Sequence, residues 1–223
     1  MSYTLLIGNK NYSSWSLRPW LLLHAFGVPF TEQRYVLDTP EFAAEIQSRK
    51  LSPNGKVPVL LDGEIVVWDS LAMSEYLAER HAAMWPVDAT ARAHARCACA
   101  EMHSGFQAIR NAMPMNVRRS YPIAIPAEDV QKDIARLQAL WTEARGKFGG
   151  DGPFLYGKFS VADAYFAPVV FRFNTYGVKM IPVVTDYVKA LLAHPSMQQW
   201  IADSTAEKEV VAHDEPEHIH AAK

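Results

Sequence analysis

The sequence predicts a small α/β layer followed by an all-helical region, and three observations carry that prediction. Short apolar runs alternate with helix-spaced residues up to about residue 80, in the order βαβαββα. The periodicity breaks at His81-Ala-Ala-Met-Trp-Pro-Val-Asp-Ala89, around Pro86. Beyond that break the remaining periodic stretches have helical spacing.

The elements follow in order. Residues 3–7 form an apolar run ended by Gly8, a strand, and 14–26 carry Leu17, Leu21, Leu22 and Ala25 at helical spacing before Gly27. Pro19 suits a first helical turn, where opening amides have no intrahelical acceptor, so this helix is expected to begin between Ser14 and Arg18. Residues 30–37 read as a second strand, and Pro40 opens a short helix through about Arg49. Lys56–Leu61 and Glu64–Trp68, joined at Asp62-Gly63, read as an antiparallel hairpin, and Ser70–Arg80 as a helix with one face on the sheet. In the second half, 90 to about 117 is Ala-rich and reads as helix. Residues 127–148 set Val130, Ile134, Leu137, Trp141, Ala144 and Phe148 on one stripe. Further helices are expected at 160 to about 174 and, in two pieces split by His194-Pro195, at 184–202. This divides the chain into 1–80, 89–203 and a polar tail, 204–223, expected to lie loosely on the surface.

Composition narrows the function. The 223 residues are 49% hydrophobic, enough apolar material for a sizeable core. Lys plus Arg total 22 against 24 Asp plus Glu, so there is no basic surplus for a phosphate backbone and nucleic acid is not an expected partner. No stretch has the roughly 18 apolar residues of a membrane span, and the start has no leader pattern, so a cytoplasmic protein with no membrane partner is expected. Cys97 and Cys99, two apart on a helix, point away from each other and form no redox pair, so any thiol chemistry must come from a ligand. The eight histidines have no metal-ligand spacing, and no metal is expected; His218 and His220 belong to the solvated tail.

Three short segments carry the chemistry. In Asn11-Tyr-Ser-Ser-Trp-Ser-Leu-Arg-Pro-Trp20, Ser13 and Ser14 stand at the mouth of the first helix. Unpaired N–H groups and the positive helix end favour an anion there, and a thiolate is one such anion; plain N-capping is the other reading. Arg18 would add positive potential or face solvent. Val57-Pro58 stands at a strand edge, where a cis bond would turn the N–H and C=O of Val57 outward toward an extended ligand; an ordinary trans proline at a strand start is the other reading. At Trp68-Asp69-Ser70, Ser70 can hold a carboxylate and Asp69 an ammonium, together an amino-acid head group; either is also an ordinary helix cap.

These segments, with Pro53-Asn-Gly-Lys-Val-Pro-Val-Leu60 and Asp69-Ser-Leu-Ala-Met-Ser-Glu-Tyr-Leu77, resemble the glutathione transferases over about residues 3–203. The resemblance implies a thioredoxin-like N-terminal domain, an all-helical C-terminal domain, a homodimer, and glutathione as co-substrate with a small electrophile. It implies that Ser13, or its neighbour Ser14, stabilises the glutathione thiolate. Val57 would pair with the cysteinyl backbone, Asp69 and Ser70 would bind the γ-glutamyl group, and Lys56 is a further contact. Ser160-x-x-Asp163 resembles the family's structural capping box. Ser13-Ser-Trp-Ser-Leu-Arg18 is similar to the zeta-class Ser-Ser-Cys-Ser-Trp-Arg, with Trp15 where that class has its cysteine. Gly105-Phe-Gln-Ala-Ile-Arg-Asn111 is similar to its Gly-x-Gln-x-Leu-x-Asn segment, which makes Gln107 and Asn111 candidate substrate-binding residues on one helical face. Arg118 and Arg119 would either attract an acidic second substrate or serve a helix end. The main reading is a transferase; the alternatives are a glutathione-dependent cis-trans isomerase of the maleylacetoacetate type and a non-catalytic binding protein of the same fold.

Overall fold

The computed structural model describes residues 3–123 and 127–220. Four strands, β1 (Tyr3–Ile7), β2 (Phe30–Arg34), β3 (Val59–Asp62) and β4 (Ile65–Val67), form one mixed sheet in the order β2-β1-β3-β4. β1 runs parallel to β2 and antiparallel to β3, and β3 and β4 form the expected hairpin. Alternation along β1 gives the sheet two buried faces. Leu5 and Ile7 join the main core, whereas Leu6 joins Tyr35, Phe42, Ile46 and Val59 in a smaller one beneath α2 (Pro40–Phe42) and the wider turn Ala43–Gln47.

Helix α1 (Ser14–Ala25) is buried on nearly every side, including Ser16 and Arg18. It opens at Ser14, so Pro19 falls in its second turn rather than its first, leaving the Trp15 carbonyl without its usual N–H partner. Helix α3 (Ser70–Arg80) covers the same face of the sheet. The remaining helices are α4 (Ala89–Ser104), α5 (Gln107–Ala112), α6 (Glu128–Phe148), α7 (Val161–Thr175), α8 (Pro182–Leu192), α9 (Pro195–Ala206) and α10 (Pro216–His220). Helix α7 is the hub, buried all round: Phe166 and Phe173 meet Trp141 of α6, and Tyr165 faces α1. Cys97 and Cys99 both lie on α4 as free thiols, one exposed and one buried.

Two expectations are corrected. The Ala-rich helix does not run to 117; it breaks after Ser104, where Gly105 is extended and Phe106 has a φ of 60°. A Cβ at 105 would lie 2.9 Å from the Glu101 carbonyl, and the Arg110 side chain, donating to the carbonyls of Met102 and Gly105, holds the break in place. The tail is not loose. After α9 it crosses the β1–α1 loop, where the Glu207 carboxylate accepts from the backbone N–H of Lys10 and Asn11 at 2.7 and 3.1 Å. Beyond it Glu209 pairs with Arg34 at 2.9 Å, Val211 is buried, and Glu215 bonds Tyr12 and Asn116. Hydropathy missed this because the docking groups are charged side chains satisfying buried backbone donors, a pairing that leaves no apolar periodicity. Residues 221–223 of the expected tail lie outside the described residues. His218 is exposed as expected, but His220 stacks on Tyr121 with ring centroids 5.8 Å apart.

The Ser160–Asp163 pair behaves as its spacing predicts. The Asp163 carboxylate, fully buried, accepts from Ser160 N–H and hydroxyl at 2.9 and 3.0 Å and from Leu155 N–H at 3.1 Å. Asp163→Ala leaves those buried donors without an acceptor and should cost about 1–3 kcal/mol of stability in urea denaturation; an unchanged midpoint would contradict this. Burial raises the Asp163 carboxyl from 3.8 to about 6. Between those values the folded chain holds a proton that the unfolded chain has lost, so this group lowers stability as pH rises through the window. The stability difference between the protein and Asp163→Asn should therefore shift in the variant's favour from about pH 4 to about pH 6; a flat difference would refute it. For the tail, Glu207→Ala should speed amide exchange at Lys10 and Asn11 by about tenfold or more, since the docked carboxylate protects both. Unchanged exchange would mean that the tail does not hold the loop.

Candidate active site

The β1–α1 loop presents the first set of groups. Gly8 closes β1 at a point where a Cβ would lie 3.2 Å from the Ser13 Cβ and 2.9 Å from the Leu37 side chain, so a larger residue here would push on both neighbours. The turn is fixed by Ser13 N–H donating to the Asn9 carbonyl at 2.8 Å. Ser13 precedes α1 but does not cap it: its hydroxyl lies 2.7 Å from that of Ser16, which in turn accepts from Gly8 N–H at 3.1 Å. Gly8 donates to Ser16, and the two hydroxyls share one hydrogen bond, so one of their two hydrogens stays uncommitted; where Ser16 donates to Ser13, it is the Ser13 hydrogen that can point toward a ligand, and each bond polarises the next. Ser14 is also buried, and its hydroxyl takes no part in this chain. Capping, the other reading of Ser13, is therefore absent here.

The Val57–Pro58 peptide is cis, as the strand-edge proline implied. Val57 lies outside the ladders, which begin at Val59, and Lys56 beside it is exposed. The approach is shaped by Ser52, whose hydroxyl donates to the Lys56 carbonyl at 2.6 Å and accepts from Lys56 N–H at 3.1 Å. At the third segment Asp69 is the N-cap of α3, with Oδ1 accepting from Leu71 N–H at 2.9 Å, while its side chain stays 46% exposed. Capping and a free carboxylate face thus coexist in Asp69. Ser70 is buried, with its hydroxyl 3.0 Å from that of Tyr165 on α7.

Behind these residues lies a group that local sequence reading did not join. Arg18 is fully buried, with its guanidinium 4.0 Å from the Trp15 ring and 4.5 Å from the Tyr165 ring. Its Nε donates to the Tyr165 carbonyl, and both Nη atoms are buried without a partner. Burial lowers this guanidinium to about 9; at neutral pH it is still a cation. The solvated alternative for Arg18 is thus excluded. The Arg110 guanidinium also lies over the Trp15 ring, at 4.8 Å, and His103 meets its edge. Trp15 is therefore held by two guanidiniums at the junction of the sheet layer and the helices.

Gln107 and Asn111 share one face of α5 as their spacing required, exposed and bonded to each other at 2.8 Å. Arg118 and Arg119 are not at a helix end, because α5 stops at Ala112. Nor is either free for a ligand. Arg118 donates to the carbonyls of Glu207 and Glu209 and to the Tyr12 hydroxyl, and Arg119 pairs with Glu215 and Glu217. Both hold the tail. Of the residues missed in sequence, Ser16 had a readable signal, the three-residue spacing from Ser13 at a helix mouth. His103, Tyr165 and Glu207 had none, since each reaches the site from another helix or from the tail.

The chain has relatives among known proteins. The chain is 25% identical over 206 residues to a probable maleylacetoacetate isomerase of Caenorhabditis elegans, covering 84% of this chain and 93% of that one. It is 30% identical over 149 residues to glutathione S-transferase Z2 of Arabidopsis thaliana, covering 61% and 63%. A glutathione transferase homolog from Burkholderia, solved with bound glutathione, superposes with a TM-score of 0.69 at 23% identity, covering 93% of this chain and all of that one, a likeness of fold. The model of the glutathione S-transferase N-terminal domain matches residues 12–80 and that of the C-terminal domain 125–203. A thioredoxin-like sheet layer followed by helices, and two consecutive domain matches over most of its length, make this chain a member of the glutathione S-transferase family.

Proposed function

We propose that the chain is a glutathione transferase in which Ser13 holds the glutathione thiolate for attack on a small electrophile. The observation that carries this reading is the Gly8–Ser16–Ser13 chain of hydrogen bonds at the mouth of α1, which leaves one hydroxyl hydrogen to donate. A free thiol ionises near 8.5 and is a weak nucleophile until it does. A donating hydroxyl, the positive end of the helix dipole and the buried Arg18 cation one turn in all favour the anion. The protein needs no cysteine of its own, and reacting groups held side by side supply the rest of the gain.

In this reading Val57 pairs with the cysteinyl backbone, Lys56 flanks it, and Asp69 and Ser70 read the γ-glutamyl head group. The electrophile enters beside Trp15 and the exposed face of α5 with Gln107 and Asn111. The residues up to 80 thus form the glutathione half and 89–203 the electrophile half, with the tail as a strap over the β1–α1 loop. A homodimer is supported by Ile65, Val66 and Trp68, large apolar side chains exposed on and beside the edge strand β4. A cytoplasmic location suits two unpaired thiols. Among the described residues no helix is long and apolar enough to cross a membrane.

Isomerisation is a second reading, favoured by the name of the nematode relative. Against it stands Trp15, an indole with two guanidiniums over its ring, in the position of the zeta-class cysteine. Free thiol falls during turnover for a transferase and stays constant for an isomerase. Calorimetry should give saturable glutathione binding, and its absence would contradict both enzyme readings. Ser13→Ala should raise the pH at which the bound thiol ionises, followed by thiolate absorbance, while Ser14→Ala leaves it in place; the reverse result would move the role to Ser14.

A further inference from the structure

Asp69 and Ser70 belong to α3, but the groups that orient them come from the helices beyond residue 89. His103, on the last turn of α4, faces Asp69 with Nε2 3.2 Å from Oδ2. Its other ring nitrogen, Nδ1, lies 3.0 Å from the Tyr165 hydroxyl, and that hydroxyl lies 3.0 Å from the Ser70 hydroxyl. The ring is further fixed by its edge contact with Trp15, with centroids 5.4 Å apart.

Hydrogen-bond chemistry gives this chain a direction. A neutral imidazole donates from one nitrogen and accepts at the other. With the ring neutral and Nε2 donating to the carboxylate it faces, Nδ1 would accept from Tyr165, and the Tyr165 oxygen would be left to accept from Ser70. The Ser70 hydrogen is then committed inward. What α3 then leaves uncommitted is a lone pair on the buried Ser70 oxygen and the half-exposed Asp69 Oδ2 face, two acceptors, together with the Ser70 N–H, which as the first amide of the helix has no intrahelical acceptor. Two acceptors beside one free N–H fit an ammonium next to a carboxylate.

We infer that His103 is a positioning residue for recognition of the ligand's amino-acid head group, holding the Asp69 carboxylate directly and the Ser70 hydroxyl through Tyr165. This rests on the assignment of Asp69 and Ser70 to the γ-glutamyl group. The helical half thereby sets the glutathione specificity of the sheet half. Without His103, Asp69 Oδ2 loses its fixed partner and Ser70 regains a hydroxyl free to rotate, so the two acceptors no longer converge on one ammonium.

The test is calorimetric, with two S-methylated probes so that no thiol titrates: S-methylglutathione and the same molecule lacking the amino group of its γ-glutamyl residue. The full-length protein should prefer the first by about tenfold or more, the scale of a charge-assisted hydrogen bond. In His103→Phe, which keeps a ring against Trp15, that preference should fall to about twofold. His103→Gln, whose side-chain amide can still donate to Asp69, should recover part of it. A merely structural role would weaken both probes alike and leave their ratio unchanged. Should His103→Phe fail to fold, Tyr165→Phe decides, since it removes only the bridging hydroxyl and should lower the ratio in the same direction. An unchanged ratio in the folded variant would overturn the inference while leaving glutathione binding intact. Absence of binding by the unaltered protein would instead overturn the glutathione reading and this inference with it.

Discussion

The constraint on which the rest depends is the burial of α1 between the sheet and α7. A helix enclosed on nearly every side has little room to shift, so the amides and hydroxyls at its N-terminus are fixed where the two halves of the chain meet. One consequence is that polar groups must enter the core with it. Ser16 is satisfied by Gly8 and Ser13, whereas Arg18 is packed between two aromatic rings with most of its donors unpaired. A buried cation without a carboxylate partner lowers stability, and it also supplies a positive potential that solvent does not screen. For the thiolate proposed at the mouth of this helix, the second effect is the useful one.

The loop that carries Ser13 is held from outside as well as from within. Lys10 Nζ pairs with Glu32 and Asp203 at 2.7 and 2.6 Å, and its carbonyl accepts from Trp200 Nε1, so β2, the loop and α9 are tied at one residue. The tail adds Glu207 on the amides of Lys10 and Asn11, and Arg118 clasps the tail in turn. Sheet, helices and tail therefore converge on the segment from Lys10 to Ser13. A site that works by geometry needs this, because a hydroxyl stabilises a thiolate only from a fixed distance and direction.

What could be read in sequence follows from the range of each interaction. The βαβαββα order, the split at His194-Pro195 and the stripe on α6 were legible because backbone periodicity is local. Ser13, Val57-Pro58 and Asp69-Ser70 were legible because caps, strand-edge prolines and helix mouths have short signatures. The break at Gly105-Phe106 was obscured by the Ala-rich sequence before it and by a side chain, Arg110, that acts only once the turn has formed. Arg118, Arg119 and the tail were misread for a different reason: their partners, carbonyls for Arg118, carboxylates for Arg119 and loop amides for Glu207, are distant in sequence and meet only in the folded chain. The link from Asp69 through His103 and Tyr165 to Ser70 is of the same kind, with three helices each contributing to one line of hydrogen bonds.

All of this converges on one claim, that a sulfur brought in by a tripeptide is ionised beside the hydroxyls opening α1. A crystal structure of the protein with glutathione bound tests it most directly. The account predicts the sulfur within hydrogen-bond distance of the Ser13 hydroxyl, with the γ-glutamyl end at the start of α3. A sulfur directed away from both Ser13 and Ser14, in a fully occupied ligand, would contradict it.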